Sequence, residues 1–240
     1  RTGQFYRRSG SQDSGHDDYG LTDGGCGKET GRDRLSRKHQ RQLNEHSGIM
    51  LALLAAGQSR RFGDQDKLSA MLDDKMLGLH AAEAGSEMPF AEKWVIAPPD
   101  HSCAEGWRDL GYQIIANEDA AQGQATSVRI AADRAIQSGA SGLCILLADM
   151  PFVTGDHLGK LLADFAQSGG IVVSAREGRA MPPAVFSFDS LKALTLLQGD
   201  AGARGLLADA RLVAGDDHLL MDIDTVEDLL LAREKTERPS

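Results

Sequence analysis

The sequence contains few cysteines, and this scarcity excludes several kinds of site. Cys26, Cys103 and Cys144 are the only cysteines in 240 residues. Their number is odd and their spacing does not match a metal-binding pattern, so we expect neither a disulfide framework nor a cysteine-ligated metal. We interpret all three as ordinary thiols of a protein in the reducing cytoplasm.

Long hydrophobic runs and an excess of basic residues are also missing. The longest apolar run, residues 49–56, is too short to span a bilayer, so no membrane association is expected. Of 26 Lys+Arg and 35 Asp+Glu residues, nine basic and seven acidic ones precede residue 48, which leaves 17 and 28 beyond it and a net charge of −11 there. Because nucleic-acid binding requires a basic surface, this acidic body indicates small-molecule substrates and no nucleic acid.

The first part of the chain differs in composition from the rest. Residues 1–47 contain almost no aliphatic side chains and many Arg, Asp, Gly, Ser and Gln residues. Such a composition cannot bury enough apolar surface to offset the entropy lost on ordering. We therefore predict a disordered polar tail over residues 1–47 and one folded domain over residues 48–240.

From residue 48 onward, short apolar runs alternate with longer amphipathic segments. The runs predict strands at residues 49–55, 93–97, 113–116, 143–148, 171–175, 184–186 and 219–223. The amphipathic segments predict helices at residues 76–85, 104–110, 125–137, 156–167, 190–197, 203–209 and 225–234. Strands separated by helices of this length are typical of right-handed βαβ units. The sequence therefore predicts an α/β fold with a three-layer, Rossmann-like, mostly parallel sheet, which binds ligands beyond the carboxyl ends of its strands.

A loop rich in small residues follows the first predicted strand. Ala55, Ala56 and Gly57 come directly after it, and small residues let backbone N–H groups approach phosphate oxygens closely. Arg61 and Lys67 add positive charge that would neutralise a polyphosphate. The glycine spacing fits neither a P-loop nor a dinucleotide-binding motif. An ordinary flexible connection is the alternative, and the two basic residues in an acidic body favour a phosphate site.

Six sequence blocks in order carry a family resemblance. They lie at residues 57–67, 122–127, 147–151, 183–186, 199–204 and 222–225. Together they resemble the molybdenum cofactor nucleotidyltransferase-like family, and the likeness extends from Gly48 to Leu230. The resemblance implies the nucleotide-diphospho-sugar transferase type of α/β fold. It also implies nucleotide binding by Leu54, Ala55, Ala56, Gly57, Ser59, Lys67, Asn117, Gly123 and Ser127, with Lys67, Arg61 and Asp149 as catalytic residues.

Two aspartates are candidate metal ligands. Asp149 ends the most apolar predicted strand, and magnesium prefers one or two carboxylates with phosphate oxygens and water. The resemblance implies Mg²⁺ as cofactor, with Asp149 as main ligand and Asp224 as second ligand. Asp149 could instead cap the following helix, but Thr154 is better placed for that role. Asp224 and Glu227 have the spacing of a capping box, so the structural and functional interpretations of Asp224 both stay open.

The acceptor substrate is assigned to a third group of residues. The block at residues 199–204 is typical of a tight turn leading into a short helix. The resemblance implies that this block and Pro183 receive the second substrate, so that Arg204 would meet the phosphate of a pterin. A surface ion pair is the alternative for Arg204. Asp222 is assigned to the acceptor side as well.

The reaction implied by the resemblance is attack of a substrate phosphate on the α-phosphorus of a nucleoside triphosphate, with release of pyrophosphate. Guanylyltransferases of this family usually carry Leu-Ala-Gly-Gly where residues 54–57 read Leu-Ala-Ala-Gly, so CTP is favoured. The expected reaction is transfer of CMP to molybdopterin cofactor, with a molybdenum hydroxylase as recipient of the product. The alternatives are guanylyl transfer, transfer to another phosphorylated small molecule, and a non-catalytic chaperone that delivers the cofactor.

Overall fold

The computed structural model describes residues 48–57, 62, 66–197 and 204–237. The predicted tail at residues 1–47 lies outside this part of the chain, as do Ser59, Arg61 and residues 199–203. The strands are β1 Ile49–Leu54, β2 Met71–Leu72, β3 Lys75–Met76, β4 Lys93–Ile96, β5 Gln113–Ile115, β6 Gly142–Leu147, β7 Ile171–Arg176, β8 Arg179–Ser187 and β9 Arg211–Ala214. The α-helices are α1 Leu77–Ser86, α2 Ala104–Asp109, α3 Gln124–Gln137, α4 Gly155–Ser168, α5 Phe188–Leu194 and α6 Val226–Glu237. Short 3-10 helices lie at Lys67–Ser69, Ala120–Gln122 and Arg204–Leu206.

A mostly parallel sheet forms the middle layer. Among the described residues it has seven strands in the order β5-β4-β1-β6-β8-β7-β9. β1 pairs in parallel with β4 and β6, and the pairs β4–β5 and β7–β9 are also parallel. β8 is antiparallel to both of its neighbours. The predicted α/β architecture is therefore confirmed, with its regular parallel part centred on β1.

The side chains of β1 alternate between two hydrophobic cores, one on each face of the sheet. The odd-numbered residues of β1 pack in the core under α1, α4 and α6, and the even-numbered ones pack in the core under α3 and α5. All six residues of β1 are buried. Full burial of a Leu or Ile side chain contributes about 1.5–3 kcal/mol, so this strand forms a rigid base for whatever follows its carboxyl end.

The strand predicted at residues 219–223 is wrong, and the structure forms β9 earlier in the chain. β9 is an edge strand in which only Val213 is buried, and its apolar run of three residues is shorter than the runs on which the strand predictions relied. The carboxylate of Asp216 accepts hydrogen bonds from two of the next backbone N–H groups, which begins a turn. The chain then returns to the sheet centre, where Ile223 N donates to the main-chain oxygen of Asp149 at 2.9 Å.

The helices agree better with the sequence than the strands do. Each helix from α1 to α6 overlaps a predicted one, and Thr154 caps α4 as expected, since its hydroxyl accepts from the backbone N–H of His157. The helix predicted at residues 203–209 is present, among the described residues, only as the 3-10 helix Arg204–Leu206. The sequence also predicts β8 too short, at residues 184–186, because two consecutive prolines near the middle of the strand are typical of a strand end.

Candidate active site

The carboxyl ends of β1 and β6 lie side by side and open into a cavity. Leu54, the last residue of β1, pairs with Leu147, the last residue of β6. The cavity has a volume of about 570 Å³. The predicted site residues that line it are Leu54, Ala55, Ala56, Gly57, Lys67, Gly123, Ser127, Asp149, Asp222 and Asp224. Segments far apart in sequence thus meet at the sheet edge where the fold predicts a ligand.

One turn of 3-10 helix, Lys67–Ser69, places Lys67 at this edge of the sheet. The carboxylate of Asp66 accepts a hydrogen bond from Leu68 N at 3.2 Å, and Ser69 Oγ donates to the main-chain oxygen of Asp66 at 2.7 Å. Leu68 is buried in the core and anchors the turn. Lys67 itself is only 7% exposed, so its ammonium group is fixed in position.

The ammonium group of Lys67 lies between two carboxylates. Its Nζ is 2.6 Å from Asp149 Oδ2 and 2.8 Å from Asp224 Oδ1. Burial by itself lowers the pKa of Lys67, but the two carboxylates outweigh burial and raise it. Burial raises the pKa of Asp149, and Lys67 opposes that rise only in part. Among the described residues, two carboxylates surround this one ammonium group, and the carboxylate of Asp222 acts on Asp149 as well.

One oxygen of Asp149 remains for a further ligand. Its Oδ1 is buried and accepts no hydrogen bond from the described residues. A buried carboxylate oxygen without a partner is costly, and a hard divalent cation would satisfy it. The described part of the chain contains no group of three or more His, Cys, Asp or Glu side chains that could hold a metal. Asp149 and Asp224 therefore fit a cation such as Mg²⁺, which takes its other ligands from phosphate and water.

Of the two interpretations left open for Asp224, the capping box with Glu227 is not formed, because the box that begins α6 lies one residue later. Asp228 N donates to Thr225 Oγ1 at 3.1 Å, and Thr225 N donates to Asp228 Oδ2 at 2.9 Å. This reciprocal pair begins α6, which leaves the side chain of Asp224 to contact Lys67. Asp228 Oδ2 also accepts from Asp224 N at 3.2 Å, so the cap fixes the backbone of the candidate metal ligand.

The start of α3 forms the opposite wall of the cavity. Gly123 precedes this helix with φ 106° and ψ 172°, a conformation that strongly favours glycine. Gln122, Gln124 and Ser127 line the cavity from the same segment. The positive end of the dipole of this 14-residue helix is therefore directed at the cavity, where it would favour an anionic group.

Asn117 lies behind this wall. It is 7% exposed, and its amide nitrogen donates to Thr126 Oγ1 at 2.9 Å and to Ser127 Oγ at 2.8 Å. Its amide oxygen accepts from Asp119 N at 3.0 Å. Because Ser127 Oγ accepts from Asn117, the hydroxyl proton of Ser127 can be donated into the cavity. Asn117 is thus placed to orient Ser127, and it does not line the cavity itself.

The structure places only some of the predicted acceptor-side residues at the cavity. Asp222 lines the cavity, whereas Pro183 lies within β8 and does not. The backbone of Arg204 belongs to the 3-10 helix Arg204–Leu206, and its side chain lies outside the described residues. The sequence also missed four apolar cavity residues, Leu68, Ala120, Ala121 and Leu147. Such residues have no reactive group to mark them, and only Leu147 could have been found, from its place at a strand end.

A second buried polar cluster joins α4 to β8. Ser174 Oγ donates to the main-chain oxygen of Pro183 at 2.9 Å and lies 2.8 Å from His157 Nε2. Because the serine proton is used on Pro183, His157 Nε2 must be the donor to Ser174. Burial lowers the pKa of His157, and Lys160 lowers it further, so the imidazole is neutral. The β7–β8 register shifts between Val173 and Ser174, and the serine supplies the donor that the shifted ladder lacks.

The fold and the strand-end site together define a Rossmann-like protein of the nucleotide-diphospho-sugar transferase type. Residues 51–218 match the MobA-like NTP transferase domain. The chain therefore belongs to the MobA-like NTP transferase domain family, whose members are nucleotidyltransferases. None of the helices in the described ranges combines the length and hydrophobicity needed to cross a bilayer.

Three similar proteins illustrate the family and the fold. Purine catabolism protein PucB of Bacillus subtilis (strain 168) is 34% identical over 195 residues, which cover 75% of this chain and 93% of PucB. Rv0371C of Mycobacterium tuberculosis H37Rv, solved in complex with manganese, is 22% identical with a TM-score of 0.61 and coverages of 78% and 98%. Molybdopterin-guanine dinucleotide biosynthesis protein A from Archaeoglobus fulgidus is 19% identical with a TM-score of 0.57 and the same coverages. The likeness to the two solved structures concerns the fold.

Proposed function

We propose that this chain transfers CMP from CTP to the phosphate of molybdopterin cofactor and releases pyrophosphate. The observation that carries the proposal is the ammonium group of Lys67, held between Asp149 and Asp224 at the edge of the cavity. This arrangement gathers charges of both signs where a triphosphate and its cation would meet. Membership of the nucleotidyltransferase family supports the same reaction class.

The nucleotide would lie between the loop after β1 and the start of α3. A side chain at Gly57 would meet no described atom within 4 Å, which is consistent with a ligand approaching the backbone there. In this position the amides of Ala56 and Gly57 would face the phosphates beside Ala55, with Ser59 and Arg61 contributing from the same loop. Gly123 and Ser127 would contact the nucleoside, oriented by Asn117.

Asp149 and Asp224 would hold Mg²⁺. When bound, the cation would neutralise charge on the phosphates and polarise them as a Lewis acid. The unpartnered Oδ1 of Asp149 supports this assignment, because a carboxylate with no second use would be expected to find a hydrogen-bond donor. The two side chains supply too few ligands to hold the ion without phosphate or water.

The chemistry asks the protein for position and charge more than for covalent participation. An oxygen of the acceptor phosphate forms a bond to the α-phosphorus, and the bond from that phosphorus to the bridging oxygen of the β-phosphate breaks. Both electrons of the broken bond leave with pyrophosphate. Lys67 would donate hydrogen bonds to the departing phosphates and offset their charge. Asp222, Pro183 and Arg204 would form the acceptor side.

The choice of CTP rests on Ala56, the residue at which this chain differs from the Leu-Ala-Gly-Gly pattern of guanylyltransferases. We propose that the dinucleotide product is passed to a molybdenum hydroxylase in the cytoplasm. The name of PucB refers to purine catabolism, which makes a purine-oxidising hydroxylase a reasonable first recipient to test. The buried, unpaired thiols of Cys103 and Cys144 suit a reducing compartment.

The proposal is tested by measuring pyrophosphate release with molybdopterin, Mg²⁺ and each of CTP, GTP, ATP and UTP. We expect kcat/KM for CTP to exceed that for GTP by about 10-fold or more, and the product to be the cytosine dinucleotide by mass spectrometry. Omission of Mg²⁺ and of molybdopterin provides the controls. Preference for GTP would move the chain to guanylyl transfer, and the absence of release with every nucleotide would refute catalysis on this acceptor.

A further inference from the structure

Beyond the cavity, one histidine contacts the turn that carries Lys67. His101 lies in the loop between β4 and α2, and its Nε2 is 2.9 Å from Asp66 Oδ2. The other oxygen of Asp66 accepts the hydrogen bond from Leu68 N that begins the 3-10 helix Lys67–Ser69. His101 therefore contacts Asp66, the residue that directly precedes Lys67 in the sequence.

The imidazole of His101 is fixed on three sides. Cys103 N donates to His101 Nδ1 at 3.0 Å. The ring also packs on Trp107, with ring centroids 4.7 Å apart, and Trp107 Nε1 donates to Gly78 O at 2.8 Å. The side chain of His101 is 9% exposed. Since Trp107 is completely buried, the histidine is attached to the hydrophobic core and cannot turn freely.

These contacts determine which ring nitrogen carries the proton. A backbone N–H is always a donor, so Nδ1 of His101 must be an acceptor and carries no proton. The proton is then on Nε2, which lies 2.9 Å from Asp66 Oδ2 in a close polar contact that lacks the alignment of a hydrogen bond. The same loop holds the turn a second time, because Cys103 Sγ donates to Leu68 O at 3.3 Å. Neither contact has a place in the transfer reaction itself.

We infer that His101 is a positioning residue for Lys67. The polar contact of its Nε2 with Asp66 Oδ2 restrains that carboxylate, Asp66 begins the 3-10 turn, and the turn fixes the ammonium group against Asp149 and Asp224. This inference rests on the proposed function in one respect, namely that Lys67 contacts the nucleotide. Misplacement of a catalytic group by about 1 Å can reduce a rate by as much as about 100-fold, so a residue that fixes this turn affects the reaction without touching a substrate.

Two substitutions separate the two contacts of the imidazole. The amide of asparagine in H101N can replace Nδ1 as acceptor for Cys103 N but does not reach Asp66. The longer amide in H101Q can place a polar nitrogen beside Asp66 Oδ2 again. We expect H101N to weaken binding of Mg·CTP about 10-fold and H101Q to stay within about 3-fold of the wild type. The matched control is H80N, because His80 Nε2 also contacts a polar atom of another segment, Leu72 O in β2 at 3.1 Å, but does not contact the Lys67 turn.

The deciding measurement is a double-mutant cycle with Lys67. Binding of CTP, GTP, ATP and UTP with Mg²⁺ is followed by calorimetry, and the cycle uses the nucleotide that binds the wild type most tightly. If His101 acts through Lys67, H101N will have no further effect in the K67A background. An equal loss in both backgrounds, or retention of wild-type affinity by H101N, would overturn the inference.

The same experiment separates this inference from the proposed function. If the wild type binds no nucleotide, the proposed function fails irrespective of His101. If H101N does not fold, as judged by circular dichroism, D66S takes its place, because serine can still cap the turn but cannot reach His101. Wild-type affinity in D66S would contradict the inference, and a loss that disappears in the K67A background would support it.

Discussion

Two buried polar clusters lie on the same sheet and differ in what they can do. One joins Lys67, Asp149 and Asp224, and the other joins His157, Ser174 and the carbonyl of Pro183. Each contains one buried atom without a hydrogen-bond partner among the described residues, Asp149 Oδ1 and His157 Nδ1. Burial and an unpaired atom are therefore not enough to mark a functional site.

The difference is in charge and in access. The lysine cluster contains the charged ammonium group of Lys67 and lines a cavity of about 570 Å³, whereas His157 is neutral, 2% exposed and buried between α4 and β7. An unpaired charged oxygen beside an open cavity can be satisfied by a ligand. An unpaired neutral nitrogen inside the core costs about 1–3 kcal/mol and has no such use. We therefore expect the first cluster to serve activity and the second to serve stability.

The largest expected effect is on activity in the first cluster. Asp149→Asn should lower kcat/KM about 1,000-fold, because it removes the charge that would hold the cation beside the phosphates. The unfolding free energy should change by less than about 1 kcal/mol. In this variant the lost contact with Lys67 is offset, because a neutral side chain at position 149 is no longer repelled by Asp222 and Asp224. Pyrophosphate release measures kcat/KM, and urea denaturation measures the unfolding free energy. A variant that keeps its activity would contradict the role given to the first cluster, and so would one that loses activity because it is unfolded.

The opposite result is expected in the second cluster. Ser174→Ala should lower the unfolding free energy by about 1–3 kcal/mol, because it leaves Pro183 O and His157 Nε2 without their partner. Its kcat/KM should stay within about twofold of the wild type. Ser168→Ala is the control, since that exposed serine bonds only to the backbone at the end of α4 and should change stability by less than about 0.5 kcal/mol. A large loss of activity at unchanged stability in the Ser174 variant would place the second cluster in the mechanism.

The smallest expected effect is on the unfolding free energy, at the Thr225–Asp228 cap that begins α6 and supports the first cluster. Burial by itself raises the pKa of Asp228, but its hydrogen bonds from Thr225 and Asp224 outweigh burial and lower it. A depressed pKa stabilises the fold above the ordinary aspartate pKa of about 3.9, and this contribution is lost as pH falls through the lower folded value. Asp228→Asn should therefore lower the unfolding free energy by about 1 kcal/mol at pH 7, with a difference from the wild type that shrinks below about pH 4.

The control for this cap is Glu227→Gln, which changes the residue that the sequence assigned to the capping box. It should leave the unfolding free energy unchanged at every pH, as measured by urea denaturation between about pH 3 and pH 7. If Glu227→Gln were the more destabilising variant, the observed Thr225–Asp228 pairing would be refuted.

The sequence predicts the regular half of the molecule well. β1 and β6 are continuous apolar runs, and each run ends where small or acidic residues begin, so the strand ends and Asp149 could be located. The edge strand β9 could not, because it is short and its apolar residues show neither a long run nor an alternation with polar residues. β8 was predicted too short, since Pro182 and Pro183 are tolerated only because the ladder shifts register beside them.

The contacts within the site could be predicted only in part. Both Asp224-x-x-Glu227 and Thr225-x-x-Asp228 fit a capping box, and local sequence does not choose between them. The choice depends on Lys67, which is distant in sequence and draws the carboxylate of Asp224 away from the helix. The sequence likewise does not show that the amide nitrogen of Asn117 is used on the hydroxyl groups of Thr126 and Ser127, of which only Ser127 lines the cavity.

The irregular return of the chain from β9 has a consequence for biosynthesis. Lys67 and Asp224 are 157 positions apart, and Ile223 is bonded to the main chain beside Asp149. Contacts of such long range form late, and domains emerge from the ribosome with their N-terminal part first. A nascent chain that exposes only the β1 loop and Asp149 lacks the carboxylate that completes the cluster. The cluster is therefore completed only after residue 224 has been released, so an unfinished chain lacks one of the two carboxylates that surround Lys67.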